Sequence, residues 1–364
     1  MNSVVRLFYT LIQISLGHRG ISDFNPTVKQ WYALFHLAKM QTLVGVLYVG
    51  IKRLDSTQLP PKELLFKWYA LYNTIISSNK TVNKKAIELQ QRFFNDGFKN
   101  VVMKGQGIAM LYDVPLARNC GDIDFWFEGD RAKIVSYIQP QCEEKRVVYH
   151  NINYSASKDV PVEIHFTPSW MFSYFTNRKL QKFFSQSINP FSCSSVDLPD
   201  NAGNLKIPSL SFNRVFILVH IYRHLFGEGI GLRQVMDYCY VLKQGFTETE
   251  REETLKVLRN LKMLNFTKGI MFILHNVFGL EEKYLLTAPD VKHGQFLLAE
   301  IMRAGNFGHY DKTISTTESD SMLSLFIKRS KRNLRFISYY PSEVVWCPLF
   351  KMWHFCWRKY HGWL

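Results

Sequence analysis

The sequence predicts an α+β fold in which helical layers flank a small mixed sheet. Three observations support this class: helical periodicity before residue 98, short alternating apolar runs between residues 99 and 208, and renewed helical periodicity from residue 209. The chain has 364 residues, of which 47% are hydrophobic, so a sizeable core can form. We expect an N-terminal helical region (1–98), an α/β core (99–208) and a C-terminal helical region (209–364).

Two stretches of the first region predict long amphipathic helices. Apolar residues recur at helical spacing from Thr27 to Arg53 and from Pro61 to Asn95, and Asp96-Gly97 then provides a stop signal. The first stretch carries charged side chains, and the apolar run Leu7–Leu16 is too short to cross a bilayer. We therefore predict core helices and no transmembrane segment.

The central region shows short apolar runs separated by turns, which is typical of an α/β unit. The predicted strands are Val101–Met103, Ile123–Phe127, Arg146–Asn153 and Val160–Phe166, and the predicted helices are Gln106–Tyr112 and Asp130–Ile138. From Ser169 to Pro208 the pattern is irregular, and we interpret Ser185–Pro208 as a surface connection.

The last region is predicted to be a helical layer. Helical spacing of apolar residues marks Phe212–Phe226, Leu232–Gln244, Glu248–Met263, Phe266–Phe278 and Gly294–Arg303.

Charge and cysteine usage narrow the function classes. The net charge is +15, yet residues 101–200 contain 10 Lys+Arg against 11 Asp+Glu, so the basic residues are concentrated towards the chain ends. A basic frame around an acidic centre suits an anionic ligand held through metal ions. No C-x-x-C pair occurs, which predicts free thiols in a cytoplasmic protein at Cys120, Cys142, Cys193, Cys239, Cys347 and Cys356.

The segment Gly121–Phe127 carries the strongest chemical signal. Because successive strand residues point to opposite faces, Ile123, Phe125 and Phe127 face the core while Asp122 and Asp124 share the other face. Two adjacent carboxylates repel each other unless a cation joins them, and this spacing is a common Mg²⁺ platform.

The later strand repeats this logic, because Glu163 and His165 lie opposite the apolar residues Val162, Ile164 and Phe166. If the two strands are neighbours, Glu163 completes a cluster of three carboxylates with the two aspartates.

The segment Lys104-Gly105-Gln106-Gly107 follows a predicted strand and opens a predicted helix. Free backbone N–H groups and a lysine at such a turn favour phosphate. Arg118, just before the acidic strand, is a second candidate phosphate contact.

Together these motifs resemble the uncharacterised bacterial nucleotidyltransferase family of the polymerase-β-type superfamily. The resemblance continues in His220, His224, Gly231-Leu232-Arg233, Asp237 and Tyr340–Glu343, and so covers most of the chain. It implies that Asp122, Asp124 and Glu163 are catalytic and hold two Mg²⁺ ions, with Mn²⁺ as the alternative ion. The implied nucleotide-binding residues are Lys104, Gly105, Gln106, Arg118, Gly121, His165 and Arg233. The superfamily usually has Gly-Ser in the turn where this chain has Lys104-Gly105.

The resemblance predicts an Mg²⁺-dependent enzyme that moves a nucleotidyl group from a nucleoside triphosphate such as ATP to a hydroxyl acceptor. The acceptor, which the sequence does not identify, is an RNA end, a protein, a sugar or a small molecule. The alternative is a non-catalytic module of the same fold that binds RNA, a phosphorylated glycan or a protein partner. The intact acid triad favours the enzyme.

Two helix histidines, His220 and His224, have two interpretations. They either form a metal site with Asp237 or make hydrogen bonds to neighbouring polar groups. We favour the second, in which these histidines, Arg223 and Arg233 line the cleft opposite the carboxylates. Arg233 and Asp237 are also spaced to pair on one helix face.

The C-terminal region adds two ambiguous surfaces. The basic run Lys328–Arg335 either binds nucleic acid or forms a solvated helix face, and we favour the solvated face. The basic aromatic tail Trp346–Trp363 either contacts a membrane surface or packs on the protein, and Pro348 favours packing.

Overall fold

A computed structural model describes residues 3–143, 146–157, 159–187, 194–311 and 321–363 and shows a mixed α/β architecture. The helices are α1 (Ser3–Ser15), α2 (Val28–Met40), α3 (Val44–Ile51), α4 (Lys62–Asn95), α5 (Gly105–Ala109), α6 (Arg131–Ile138), α7 (Tyr174–Gln186), α8 (Leu210–Gly227), α9 (Leu232–Lys243), α10 (Glu248–Asn260), α11 (Leu264–Asn276), α12 (Val291–Ala304), α13 (Met322–Asn333) and α14 (Pro341–Tyr360). The strands are β1 (Asn100–Met103), β2 (Ile123–Phe127), β3 (Asn151–Asn153), β4 (Val162–His165), β5 (Ser194–Leu198) and β6 (Gly203–Ile207).

The main sheet is small and mixed, as the sequence predicts. Its strand order is β1-β2-β4-β3, with β2 parallel to β4 and the outer pairs antiparallel. The register places Asp124 directly beside Glu163. Strands β5 and β6 form a separate antiparallel hairpin.

Helices cover both faces of the main sheet. On one face, Phe93 of α4 contacts Phe125 and Phe127 with ring centroids 5.2 and 5.0 Å apart. On the other face, Trp126 stacks on Phe212 of α8 at 5.5 Å. Consequently the face that carries Asp124 looks towards the C-terminal helices.

Helices from both ends of the chain share one hydrophobic core. The buried side chain of Gln41 joins them, because it donates to the carbonyl of Ile301 at 3.2 Å and accepts from the backbone N–H of Leu232 at 2.8 Å. The division of the chain at residues 98 and 208 stays a prediction.

Two predicted elements were too long. The stretch Thr27–Arg53 is two helices, because Thr42 adopts a positive φ of 55° between them. The predicted strand Arg146–Asn153 is reduced to β3, because the chain folds back on itself and Val147 bridges to Ile152.

The interpretation of Ser185–Pro208 as a surface connection was wrong, since it contains β5 and β6. The hairpin is held to the core by Gln90 of α4, whose side chain bonds both the N–H and the carbonyl of Lys206. This contact is made between residues far apart in sequence, so no local pattern signals it. Cys193 lies outside the described residues, and the described cysteines are free thiols.

The basic run Lys328–Arg335 is not a solvated face. The guanidinium of Arg332 is buried and donates to the carbonyl of Leu225 at 2.6 Å, and Arg335 pairs with Glu300 at 2.9 Å. Helical spacing turns these arginines inward, towards α8 and α12.

The aromatic tail packs on the protein through one face of α14. Phe350, Trp353 and Trp357 surround Tyr149 with ring centroids 5.6 to 6.5 Å away. Its outward face leaves apolar side chains such as Leu349 and Met352 exposed. Within the described ranges, no helix combines the length and the apolar character needed to cross a membrane.

A buried ion pair ties the loop before β2 to α9. The guanidinium of Arg118 binds both carboxylate oxygens of Asp237 at 2.7 and 2.8 Å, and the Tyr112 hydroxyl donates to the same group at 2.6 Å. Both charged side chains are less than a tenth exposed. A buried bidentate pair of this kind fixes the sheet against the helical layer.

We expect Asp237→Ala to lower the free energy of unfolding by about 3–5 kcal/mol, because it leaves the guanidinium of Arg118 buried without a counter-ion. Urea unfolding followed by tryptophan fluorescence measures the loss. The control is Asp113→Ala, which removes an exposed pair with Arg53 and should cost about 0–1 kcal/mol. Equal losses in the two variants would contradict this role.

Candidate active site

Three carboxylates converge on the face of the sheet that looks towards the helices. Oxygen atoms of Asp122, Asp124 and Glu163 all lie within 4.8 Å of one another. The parallel register of β2 and β4 brings Asp124 beside Glu163, and Asp122 immediately precedes β2. The side chain of Asp124 is 3% exposed, whereas that of Glu163 is 30% exposed. The strand alternation in the sequence predicts this convergence.

Lys104 and His165 hold the buried member of the cluster. The Lys104 ammonium lies 2.8 Å from Oδ1 of Asp124, and Nε2 of His165 lies 2.8 Å from the same oxygen and 3.2 Å from Glu163. Lys104 stands at the end of β1 with a positive φ of 54°, a strained conformation for a residue with a side chain. The turn therefore places Lys104 where its ammonium reaches Asp124.

The cluster separates the pKa values of its members. Repulsion from Asp124, together with burial, raises the pKa of Asp122 to about 6. Burial opposes ionisation of Asp124, but Lys104 and His165 outweigh it and hold the pKa of Asp124 well below its ordinary value. Burial alone would lower the pKa of His165, yet its hydrogen bonds to the carboxylates raise it. Asp122 is thus the carboxylate whose charge is least compensated.

The cluster opens into a cleft of about 1130 Å³ between the sheet and the C-terminal helices. The floor carries Lys104 and the three acids, and α8, α9 and α13 form the opposite wall. The arginines that line the cleft are Arg118, Arg146, Arg223, Arg233, Arg329 and Arg332. An acidic floor therefore faces a strongly basic wall.

The structure distributes the predicted nucleotide-binding residues unevenly. Lys104, Gly105, Gly121 and Arg233 line the cleft, as does Arg118, although its guanidinium is committed to Asp237. Their role in nucleotide binding remains a prediction.

Two other predicted nucleotide contacts lie away from the open cleft. Gln106 is buried outside the cleft lining, and His165 is buried behind the carboxylates. The second glycine of the turn has a packing reason, because a Cβ on Gly107 would lie 2.7 Å from the side chain of Ile207.

His220 and His224 line the cleft, as we favoured, with their ring centroids 4.3 Å apart, and His224 makes polar contacts there. His224 accepts from Arg223 through Nε2 and contacts Glu228 through Nδ1 at 3.2 Å. Burial lowers the pKa of His224 to about 4, so it is neutral at physiological pH. Asp237 pairs with Arg118 and not with Arg233 or the histidines, and among the described residues no metal-ligand group joins these three.

The donor set of the cluster fits a hard divalent cation, since carboxylate oxygens are the ligands that Mg²⁺ and Mn²⁺ prefer. A second group of ligand atoms, from His150, Glu163 and His165, also lies within 4.8 Å and shares Glu163. Nitrogen donors suit Mn²⁺ better than Mg²⁺. However, His165 is already bonded to two of the acids, so the carboxylate group is the better-formed site.

Several lining residues were missed in the sequence. Trp170 stacks beside His150 at 3.9 Å between ring centroids and lies under the guanidinium of Arg223 at 4.2 Å. Arg146 and Arg329 reach the same cleft from distant segments. The charge excess towards the chain ends is a signal for Arg329 alone, and no local pattern in the sequence indicates Arg146 or Trp170.

Comparisons with known proteins identify the family of the chain. A family model described as an uncharacterised nucleotidyltransferase matches residues 27–279, although it does not show the bacterial origin that the resemblance implied. A solved structure of an antigenic nucleotidyltransferase-like protein from Paracoccidioides brasiliensis is 14% identical over 57% of this chain and 94% of that chain, with a TM-score of 0.31. A likeness of that size does not support any functional role. No curated protein matches the chain.

Two aspartates of the cluster should respond oppositely to the same substitution. In metal-free protein at pH 8, Asp122→Asn should raise the melting temperature, because it removes an uncompensated charge. Asp124→Asn should lower the melting temperature and reduce the free energy of unfolding by about 3–5 kcal/mol, because it removes the ion-pair partner of Lys104 and leaves His165 with Glu163 alone.

The pH dependence distinguishes the two effects. The folded pKa of Asp122 is raised from 3.8 to about 6, so its ionisation destabilises the native state as the pH rises through this window. The advantage of Asp122→Asn should therefore disappear near pH 4. Melting curves in EDTA from pH 4 to pH 8 measure this, and destabilisation by Asp122→Asn at pH 8 would refute the assignment.

Proposed function

Because the chain belongs to the uncharacterised nucleotidyltransferase family, we propose that it transfers a nucleotidyl group from a nucleoside triphosphate, such as ATP, to a hydroxyl acceptor. The observation that carries this proposal is the convergence of Asp122, Asp124 and Glu163 at the floor of a basic cleft. The described cysteines are free thiols, which supports a place in the reducing cytoplasm.

The three acids would hold two Mg²⁺ ions, or Mn²⁺ in their place. When bound, these ions neutralise charge on the triphosphate and activate the acceptor oxygen. Three carboxylates within 4.8 Å of one another repel each other and destabilise the native state. A protein in which the cluster had no function would not be expected to retain it.

The transfer exchanges a phosphoanhydride bond of the triphosphate for a phosphoester bond to the acceptor. The acceptor oxygen attacks the α-phosphorus, and the bond from that phosphorus to the oxygen bridging to the β-phosphate breaks. Pyrophosphate leaves with the electron pair, and the hydroxyl proton is released to water. The chain has little covalent chemistry to perform, so its residues act by positioning and by charge.

Lys104 has two partners during this cycle. In the metal-free protein its ammonium neutralises Asp124 at 2.8 Å. Once a metal ion is bound to that carboxylate, the flexible lysine side chain would be able to turn to the triphosphate. This role explains why a lysine replaces the usual small hydroxyl residue of the turn. His165 remains behind Asp124 and Glu163 and keeps both carboxylates oriented.

Arg233 is the member of the opposite wall best placed to meet the triphosphate. It lines the cleft from the start of α9 and lies within electrostatic reach of Asp122. Burial and the nearby charge of Arg118 lower the pKa of Arg233. Its attraction to Asp237 and Asp122 offsets this lowering only in part, so the guanidinium lacks a full counter-charge. Triphosphate oxygens would supply that counter-charge.

A direct test incubates the full chain with each labelled nucleoside triphosphate, Mg²⁺ and a cell extract, and follows label into a new product. Wild type should transfer label and gain thermal stability from Mg²⁺ with its triphosphate, by mass action on the native state. Glu163→Gln should lower transfer by at least about 10²-fold, because it removes a ligand of the positioned ions.

The matched control is Glu128→Gln, which neutralises an exposed acid just beyond the other end of β2 and should leave transfer unchanged. Absence of transfer and of metal-dependent stabilisation in wild type with every triphosphate would reject the enzyme. The outcome would then favour the non-catalytic module.

A further inference from the structure

Two partly buried arginines of the cleft wall differ from the arginines that are held in ion pairs, and from Arg332, which is bonded to a backbone carbonyl. Arg118, Arg214 and Arg335 each pair with a carboxylate at 2.7 to 2.9 Å. Within the described part of the chain, neither Arg223 nor Arg233 has a carboxylate at ion-pair distance. A partly buried cation without a counter-ion is costly to fold, so both positions are built to receive an anion.

Arg223 is held in one orientation by its neighbours. Its guanidinium lies 4.2 Å above the ring of Trp170 and donates one hydrogen bond to Nε2 of His224. None of its N–H groups is buried without a hydrogen-bond partner, and the residue lines the cleft. Stacking on an aromatic ring leaves the edge of the guanidinium free for a two-oxygen contact.

The corner around Arg223 keeps a positive excess. Arg329 of α13 lines the same cleft, and both arginines lower the pKa of Glu228, although His224 is its strongest partner. His224 itself is neutral at physiological pH. Apart from the three acids of the floor, which also attract Arg223, the carboxylate at this corner is Glu228, and two arginines face it.

The two unpaired arginines lie towards different ends of the acid cluster. Arg233 interacts with Arg118 and Asp122, next to β1 and β2, where Lys104 also lies. Arg223 lies over the β4–β3 edge of the same cleft, because it stacks on Trp170, whose ring lies 3.9 Å from that of His150 just before β3. Of the three acids, Glu163 on β4 interacts most strongly with Arg223.

The cleft is large enough for two substrates. Its volume of about 1130 Å³ exceeds the roughly 300–1,000 Å³ of an ordinary small-molecule pocket. A triphosphate placed by Lys104 and Arg233 leaves the end lined by Arg223, Trp170 and Arg146 for the acceptor.

We propose that the acceptor carries a phosphate group of its own, bound by Arg223 on its Trp170 platform with Arg329 beside it. This inference rests on the proposed function and names the class of its second substrate, a phosphorylated hydroxyl compound. Several cations at one corner match a dianionic phosphate monoester better than a single carboxylate. The acceptor phosphate anchors the molecule and is unchanged by the transfer, in which only the hydroxyl oxygen forms a bond to the α-phosphorus.

The probe for this site is inorganic phosphate, titrated calorimetrically into the full chain saturated with Mg²⁺ and a non-hydrolysable triphosphate. Phosphate should bind this complex without displacing the nucleotide. Arg223→Gln should weaken phosphate binding about tenfold or more and leave nucleotide affinity unchanged, and Arg233→Gln should do the reverse. Arg223→Lys, which keeps the charge but loses the fork, should give an intermediate phosphate affinity.

The matched control is Arg259→Gln, on the exposed side of α10, which should alter neither affinity. Phosphate that competes with the nucleotide, binds Arg223→Gln as tightly as wild type, or fails to bind wild type would overturn the proposal. If no triphosphate binds, the proposed function fails separately. Phosphate binding by wild type and Arg223→Gln is then compared on the nucleotide-free protein. Equal affinities there would still overturn the anion site.

Discussion

The parallel pairing of β2 with β4 sets Asp124 beside Glu163, and the negative charge gathered there governs the rest of the site. Asp122 precedes the same strand, so three carboxylates meet within 4.8 Å. Such a cluster is tolerated only where positive charge is supplied nearby. Lys104 and His165 contact Asp124 directly, and the arginines of the helical wall supply positive charge across the cleft.

The helical layer is therefore part of the site as well as its support. The buried pair of Arg118 with Asp237 fixes α9 against the sheet, and the same helix presents Arg233 to the cleft. Helix α8 contributes both Phe212, which stacks on the sheet, and Arg223, which faces the acids. Packing and charge placement are consequently carried by the same elements, so the position of each arginine depends on the hydrophobic core beneath it.

The strand alternation made the acid cluster and the mixed sheet predictable, because a period of two assigns faces without knowledge of neighbours. Long-range partners were not predictable in this way. Arg118 pairs with a residue 119 positions away, and Arg332 turns inward to a carbonyl of α8, so both differ from what charge patterns favoured. The hairpin of β5 and β6 was missed for the same reason, since Gln90 secures it from a distant helix.

We propose that Asp122, Asp124 and Glu163 hold the metal ions of a nucleotidyl transfer. Anomalous diffraction from crystals of the full chain with Mn²⁺ and a non-hydrolysable triphosphate tests it most directly. We expect two manganese peaks beside these carboxylates, and we expect the Lys104 ammonium to have moved away from Asp124. Nucleotide bound in the cleft with no manganese peak at the three carboxylates would contradict it.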